Sequence, residues 1–510
     1  LVYLPFVAET QTPDYQSPDF TRFYPLWDKV DACWGGTEAM RAAGGKEESP
    51  YLPQFPMEAD DSYEYRLETS TFLPAYGNGL DMIVGAITRK PPTLTMSVPP
   101  SIADDWENID NAGTHWTVMA QRLLRTGVHH GAAYVLVDMP KTPVEPGQPL
   151  DAAQASVLNF RPFAVLYSAR ELANWPRYVI IDGAPVLQLI VFCEHAVEFD
   201  GFGESCTPRY RVWRLPVVRD EMGNYHRAGN AEWEIWEERE SGGGKKKKQL
   251  EIIDAGVSPL SDIPVAIFNA NPCLTDPNRT DGPVLLDLAH LNIKHYNITS
   301  DHEKILHKCT PILTTVNLRD DGALSSVAGL DVRLDCDEGG GASYTEAPGT
   351  SLKERREWIA SLEKQMHEMG ASLFTEGSQK GAMTATEVRE RGGAKQSRVS
   401  QIADAWKDCL EQTLQFFALW KGEQSGGEIT PGVKASDLVV TAADLPAISQ
   451  MVERGQHSLK TLWAIEKKVG VLQDDFDDDQ ELERIMEERK MLGGSVGEQI
   501  ERMLNGAGAE

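Results

Sequence analysis

No stretch of this sequence reaches the ~18 consecutive apolar residues that a membrane-spanning helix needs, and no basic start followed by an apolar run marks a secretory signal. Cysteine is scarce. The seven present, Cys33, Cys193, Cys206, Cys273, Cys309, Cys336 and Cys409, are odd in number and far apart, with no C-x-x-C pair. That spacing excludes a disulfide framework and a cysteine zinc site, and fits free thiols in a reducing compartment. Basic residues are also in deficit, 49 against 77 acidic ones, for a net charge of −28. A protein that grips nucleic acid over its whole surface is therefore excluded. A local basic site stays open, as does an acidic wall that DNA slides past, because tight binding requires neutralised phosphates and released counterions.

The common catalytic motifs are missing too. The stretch GSQKGAMTATEVRERGG, residues 377–393, has glycines and a lysine ahead of a helix start. A phosphate loop needs G-x-x-x-x-G-K-[ST] after a buried strand, so that backbone N–H groups converge on phosphate and the lysine reaches it. Here Lys380 precedes the second glycine and a helix precedes the loop, so no nucleotide site is expected. The histidine pairs His129 with His130, His290 with His295, and His302 with His307 are scattered. In SDHEKILH the histidines stand five apart, off one helix face, where a zinc helix needs four. No metal ligand set and no cofactor is expected, and no G-x-S-x-G is present. Carboxylates are abundant and Trp numbers 12, which keeps open an acidic, Trp-rich carbohydrate-active hydrolase.

What is present is a globular composition, 41% hydrophobic and 25% charged. At ~100 to 200 residues per domain, the length predicts about three or four domains or subdomains of mixed α+β character. The first 50 residues, rich in Pro, Gly, Tyr and Trp, read as an irregular arm or a set of surface wraps. Helical spacing begins between 51 and 87 and ends at the prolines of TRKPPTLTMSVPP. HWTVMAQRLLRTGVHHGAAYVLVDMP predicts an amphipathic helix carrying Trp116, Met119, Leu123 and Leu124, a glycine break, and a buried strand over 133–137. Between 175 and 270 the pattern is of strands, from YVIID to VAIFNA, forming an antiparallel β-rich subdomain. Inside it SGGGKKKKQ places Lys245, Lys246, Lys247 and Lys248 on a solvated hairpin tip, with a contact for DNA or an acidic partner as the sharper alternative.

Beyond residue 281 the pattern turns helical. In PVLLDLAHLNIKHYNITSDHEKILHKC, Leu285, Leu288, Ala289, Asn292 and Tyr296 share one stripe, and Lys294, Asp301, Lys304 and Lys308 share another. Strand-like pieces follow at ILTTVNL and DVRLDCD, then a glycine run at 339–341. SLKERREWIASLEKQMHEMGASLF places Leu352, Ile359, Leu362, Met366, Met369 and Leu373 on a narrow seam for another helix. The loop FTEGSQKG then leads to a capping box, Thr384 with Glu387. A third helix spans about 385 to 420, with Ile402, Trp406, Cys409, Thr413, Phe416 and Trp420 at core spacing. Adjacent Gly392 and Gly393 in its first half, at ~1 kcal/mol each relative to alanine, predict a bend or a close neighbour. From about 447 the chain is helical and acidic, with DDFDDDQELE as a helix start.

An ordered set of segments carries a family likeness: SPYLPQF, YEYRLETSTFLPAYGNGL, GAITRKPPTL, LLRTGVHHGAAYVLVDMP, LSDIPVAIFNANP, LLDLAHLNIKHYNITSDHEKILHKCTPIL and MTATEVRERGGAKQSRVSQIADAW. Over roughly residues 20 to 425 they resemble the portal proteins of tailed bacteriophages, in a branch catalogued as a domain of unknown function. The resemblance implies a non-enzymatic portal fold. In it a wing comprises residues 1–281, stem helices 282–309 and 351–373 bracket a β-containing clip at 310–350, and a tunnel loop spans 374–383. A long wing helix and a returning wing strand, DLVVTAADL, fill 384–446, and a helical crown fills 447–510. It further implies a ring of about twelve subunits at one capsid vertex, assembled in the host cytoplasm. Double-stranded DNA would pass without sequence preference, the terminase motor would dock transiently, and the major capsid protein and the tail or head-tail adaptor would be partners. On that template Glu376, Gly377, Ser378, Gln379, Lys380 and Gly381 line the DNA channel, and Lys294, Lys304 and Lys308 form the stem's channel face. Another ring-forming virion adaptor is the neighbouring alternative.

Overall fold

After a short strand β1 (Thr93–Leu94), the run AAYVLVD forms strand β2 (Ala132–Asp138), and its alternation divides the protein into two cores. Ala133, Val135 and Val137 enter one apolar cluster, while Ala132, Tyr134 and Leu136 enter the other. Successive strand side chains leave on opposite faces, and a strand apolar on both needs both covered. The computed structural model in which this is seen describes residues 12–43, 49–141, 160–241, 247–308, 312–318, 336–345, 350–371, 385–430, 449–450, 452, 454, 458–469, 471–472 and 476–492. Antiparallel neighbours β3 (Phe163–Ser168) and β11 (Val265–Asn269) complete a three-stranded sheet in the order β11-β2-β3. The sequence grouped VAIFNA with the strands before it. Instead it pairs with β2, Val265 opposite Leu136 and Asn269 opposite Ala132. The reason is its own two-sided apolarity: Val265 joins one core, Ala266 and Phe268 the other.

Helices cover the first face. Short α1 (Pro18–Thr21) precedes α2 (Tyr24–Ala42); α3 (Asp60–Thr69) and α4 (Ala75–Ile87) follow, then α5 (Pro100–Ala103) and α6 (Trp116–His130). The expected irregular arm is thus corrected: among the described residues before 50, most are helical, and Trp27, Val30, Cys33 and Met40 are buried. The periodicity was hidden because Gly36, at φ 72°, breaks the helical path inside α2 and puts the two halves out of phase. α6 and β2 follow the sequence reading, with Trp116, Met119, Leu123 and Leu124 buried and Gly131 at φ 92° closing the helix in the left-handed conformation.

The second core lies under a seven-stranded sheet made of β4 (Arg177–Ile181), β5 (Ala184–Asp200), β6 (Gly203–Arg214), β7 (Val217–Arg219), β8 (Tyr225–Arg227), β9 (Glu232–Ser241) and β10 (Lys247–Val257). Its order is β10-β9-β6-β5-β4-β8-β7, antiparallel as expected except where Ile181 meets Tyr225. Phe20, Phe23, Trp27 and Trp175 fill the space between this sheet and the N-terminal helices, Phe20 to Trp175 centroids being 5.0 Å apart edge to face. The hairpin reading of SGGGKKKKQ holds at its base, where Ser241 pairs with Lys247. Lys247 and Lys248 belong to the strand, whereas Lys245 and Lys246 lie outside the described residues.

After β11 come α7 (Leu286–Lys308), α8 (Thr350–Ala371) and α9 (Ala385–Lys421). Helix α9 is buried along the predicted positions Ile402, Trp406, Cys409, Thr413 and Phe416. Two indoles fasten it: Trp406 Nε1 donates to the Ala120 carbonyl and Trp420 Nε1 to the Val137 carbonyl, each at 2.9 Å. Helices α10 (Leu459–Val469) and α11 (Asp478–Leu492) follow, joined by Lys460 with Asp479 and Lys467 with Asp478, both at 2.7 Å. DDFDDDQELE is a helix start, as read: the Asp477 carboxylate accepts the N–H groups of Asp479 and Gln480. The segment DLVVTAADL lies outside the described residues.

Candidate nucleic-acid interface

Helix α7 divides as its sequence predicts. Leu288, Ala289, Asn292 and Tyr296 are buried on one side, and Lys294 is exposed on the other. At ~1.5 Å per residue it is about 35 Å long. Helix α8 runs back beside it: His295 Nε2 lies 3.3 Å from Glu363 Oε1, Asp301 pairs with Arg355, and the Lys294 ammonium sits 5.2 Å over the Trp358 ring. Numbers rise along one helix as they fall along the other, so the pair is antiparallel. Of the predicted seam, Leu362 and Met366 are buried, and Leu352, Ile359 and Met369 are partly so; Leu373 lies outside the described residues.

Between the two helices stand β12 (Ile312–Leu318) and β13 (Cys336–Thr345), paired antiparallel with Ile312 opposite Thr345. ILTTVNL is a strand as read. Its partner begins at Cys336, near the end of DVRLDCD, and continues through the glycine run; residues 331–335 lie outside the described residues. The register shifts between Val316 and Leu318, and Gly339 at φ 81° lies in the matching excess of β13. A left-handed residue in a bulge is the use to which glycine is suited, so the run marks an irregular strand.

The predicted channel loop, with Glu376, Gly377, Ser378, Gln379, Lys380 and Gly381, and the cap residue Thr384 lie outside the described residues. The elements on either side are defined. Near the end of α8, Gly370 crosses Gly79 of α4 so closely that a methyl on Gly370 would meet the Gly79 Cα at 3.6 Å. On the far side, α9 is one helix from Ala385, passing through Glu387, Gly392 and Gly393, and it is buried from Val399 onward. Both flanks of the segment are thus tied to the same core.

The three predicted stem lysines differ in circumstance. Lys294 is exposed, and the side chain of Lys308 falls outside the described residues. Lys304 is committed within the subunit, with Nζ 2.5 Å from Glu58 Oε1 and 5.6 Å over the Phe55 ring. Glu58 is nearly inaccessible, and Arg66, itself buried, donates to both its oxygens at 3.1 and 2.8 Å. Burial pushes the Glu58 carboxyl up, but hydrogen bonds from Arg66, Lys304 and the Phe55 N–H outweigh it and leave its pKa at about 2. The outward surface of α8 alternates in sign, with Lys353 near Glu357 and Lys364 near Glu368. Such a surface has little net charge to hold a phosphate backbone.

Residues 284–421 match a family described as a domain of unknown function, DUF4055. The span, less than half of the chain, begins just before α7 and ends with α9, so it takes in the helix pair, its β insert and the long helix. No curated protein matches the chain. Among solved structures, a chain in the neck of an empty GTA particle computed with C6 symmetry is 12% identical, with a TM-score of 0.38, over 76% of this chain and 87% of that one. A chain in the virion of a native gene transfer agent particle is 11% identical, with a TM-score of 0.35, over 89% and 98%. Likenesses this low establish neither fold nor function.

The histidine pairs are distributed as the sequence indicated, with one exception. His295 bonds Glu363, and His290 lies 3.4 Å from the Lys29 ammonium. His129 and His130, however, both meet Asp31, a residue 98 positions before the first of them. No local signal could have found that aspartate, since its helix showed no periodicity. Cys33, Cys193, Cys206, Cys273 and Cys409 are free thiols, as their spacing predicted. No helix among the described residues is long and apolar enough to cross a membrane.

Proposed function

We propose that this chain is a portal subunit, which assembles with copies of itself into a ring of about twelve at one vertex of a viral capsid. Double-stranded DNA enters through the ring during packaging and leaves through it at ejection. The ring docks the terminase motor and afterwards the tail or a head-tail adaptor, and it carries out no chemistry itself. The observation that carries this reading is the order of α7 to α9: a helix, a two-stranded insert, an antiparallel return helix, then a long helix fastened to the main core. That order accords with the stem, clip, stem and wing helix implied by the sequence resemblance. It also provides what a conduit requires. A helix pair about 35 Å long would form a wall, the two-stranded insert would offer a docking point, and the segment 372–384 joins elements fixed to one core.

The charge pattern supports the same reading. DNA that must move over a wall cannot be held by it, and binding strength follows the number of phosphates neutralised. A net charge of −28 and an α8 surface of alternating sign keep that number low. Electron microscopy of the purified chain, with class averages scored for rotational symmetry, tests the proposal. A ring with a central hole wide enough for a duplex is expected. A monomer or two-fold dimer that does not form rings even with its capsid partners would overturn it.

A further inference from the structure

We infer that Asp31, His129 and His130 form a binding site for one divalent cation of the zinc type. The site is independent of the ring. Asp31 comes from α2, and the two histidines end α6, just before the left-handed Gly131. His129 Nε2 and His130 Nε2 each lie 2.8 Å from the same atom, Asp31 Oδ1, and the donor atoms of the three residues all fall within 4.8 Å of one another. Adjacent residues on a helix do not ordinarily face each other. Here both rings turn to one point, with centroids 4.5 Å apart.

The donor chemistry selects the ion. Two imidazoles and one carboxylate oxygen suit zinc and its first-row neighbours, and three protein ligands leave one position for water or a further group. Zinc bonds of about 2.0–2.2 Å place tetrahedral ligand atoms ~3.3 Å apart. To admit the ion each ring nitrogen would move ~0.5 Å from Asp31 Oδ1 and the two nitrogens, within 4.8 Å of each other, would settle at the same spacing, the Nε2 protons leaving or shifting to Nδ1 as the ion binds.

The surroundings orient two of the three ligands, His129 and Asp31, whereas His130 Nδ1 is buried with no hydrogen-bond partner among the described residues. A histidine ligand normally gives its second ring N–H to an oxygen that fixes its orientation. His129 Nδ1 lies 2.9 Å from the Tyr76 hydroxyl, which is fully buried. Trp27 Nε1 donates to the His130 carbonyl at 3.0 Å and pins the backbone that carries the second ligand. Arg170 bonds the other Asp31 oxygen, leaving Oδ1 as a single-atom ligand, and Asp28 at 2.7 Å from Arg170 offsets the guanidinium charge. Asp31 is about one-third exposed while His129 is nearly closed off, so the ion would enter from the carboxylate side. Bound there, it would cross-link α2 to α6.

The full chain, stripped with a chelator, would be titrated with Zn2+ by calorimetry and with Co2+ by visible absorption. One saturable site per chain is expected, together with a thermal midpoint that rises with Zn2+ concentration. His130→Gln should abolish the Co2+ band and the saturable heat while circular dichroism stays unchanged. Tyr76→Phe, which keeps the ring but removes the hydroxyl, should weaken Zn2+ binding about 10- to 100-fold. Absence of saturable binding by the wild-type chain would overturn the inference, as would a site unaffected by His130→Gln. In either case the three residues would be a hydrogen-bonded cluster alone.

Discussion

Asn292 Oδ1 accepts the Tyr76 N–H at 3.0 Å, and Asn292 Nδ2 donates to the Leu73 carbonyl at 2.9 Å. A fully buried amide on α7 therefore satisfies the first turn of α4, whose opening N–H groups have no partner within their own helix. Asn292→Ala strands a buried donor, the Tyr76 N–H, and takes away one of the two donors to the Leu73 carbonyl, which also accepts the Ala75 N–H at 2.8 Å. The expected loss is about 2–3 kcal/mol, read as a lower urea midpoint at unchanged slope. An unchanged midpoint would show that water replaces the amide.

Gly127 and Gly370 should respond oppositely to alanine. A methyl on Gly127 would come within 2.3 Å of the Phe268 ring, which is fully buried and has no space to withdraw. The predicted cost is about 1–3 kcal/mol, outweighing the ~1 kcal/mol that alanine gains in helix propensity. At Gly370 the nearest atom would be 3.6 Å away, an ordinary contact. Thermal melts of the two variants should separate in opposite directions, with Gly370→Ala above wild type by the ~1 kcal/mol of helix propensity.

Glu58 makes stability depend on acid. Its folded pKa of about 2 lies below its ordinary value of 4.5, so its contribution is fully present above pH 4.5 and is lost as pH falls through 2. Glu58→Gln should flatten the stability profile across that window. It should also cost about 3–5 kcal/mol at neutral pH, because Arg66 would stay buried without its counterion. A variant whose acid profile still tracks the wild type would place the titration elsewhere.

The two described stem lysines should separate stability from DNA contact. Lys304→Ala removes a partner of Glu58 and should lower the thermal midpoint. Lys294 is exposed over Trp358, an arrangement worth about 0.5–1 kcal/mol, so Lys294→Ala should leave folding nearly intact. In an assembled ring, Lys294→Ala should reduce the salt dependence of DNA retention if this side chain meets phosphate. Equal salt slopes would assign Lys294 to the helix pair alone.

For the segment between α8 and α9, replacement of Ser378, Gln379 and Lys380 by glycine should preserve ring assembly and impair DNA packaging or retention. Unchanged packaged DNA in reconstituted particles would remove the reason for singling those residues out.

Much of the helical and strand content was legible in the sequence because it is written in local periodicity. The stripe of Leu288, Ala289, Asn292 and Tyr296, the helix-to-strand step at Gly131, and the spacing from Ile402 to Phe416 each follow from a face that must be buried. Where that periodicity failed, the reading failed with it. Gly36 breaks α2 out of phase, so a core helix looked like an irregular arm, and the glycine run of β13 concealed a strand behind a bulge.

Composition, charge and local pattern thus determined by themselves a mixed α and β protein with free thiols, an acidic surface and a helix, β insert, helix order. Only the tertiary structure decided which remote segments meet: VAIFNA against AAYVLVD, Lys304 turned to Glu58, and Asp31 brought to His129 and His130. The physical reason is the range of the forces involved. A side chain's face is set within a turn or a strand of its own backbone, whereas its partner is set by which distant surface leaves least apolar area and fewest polar groups unmatched.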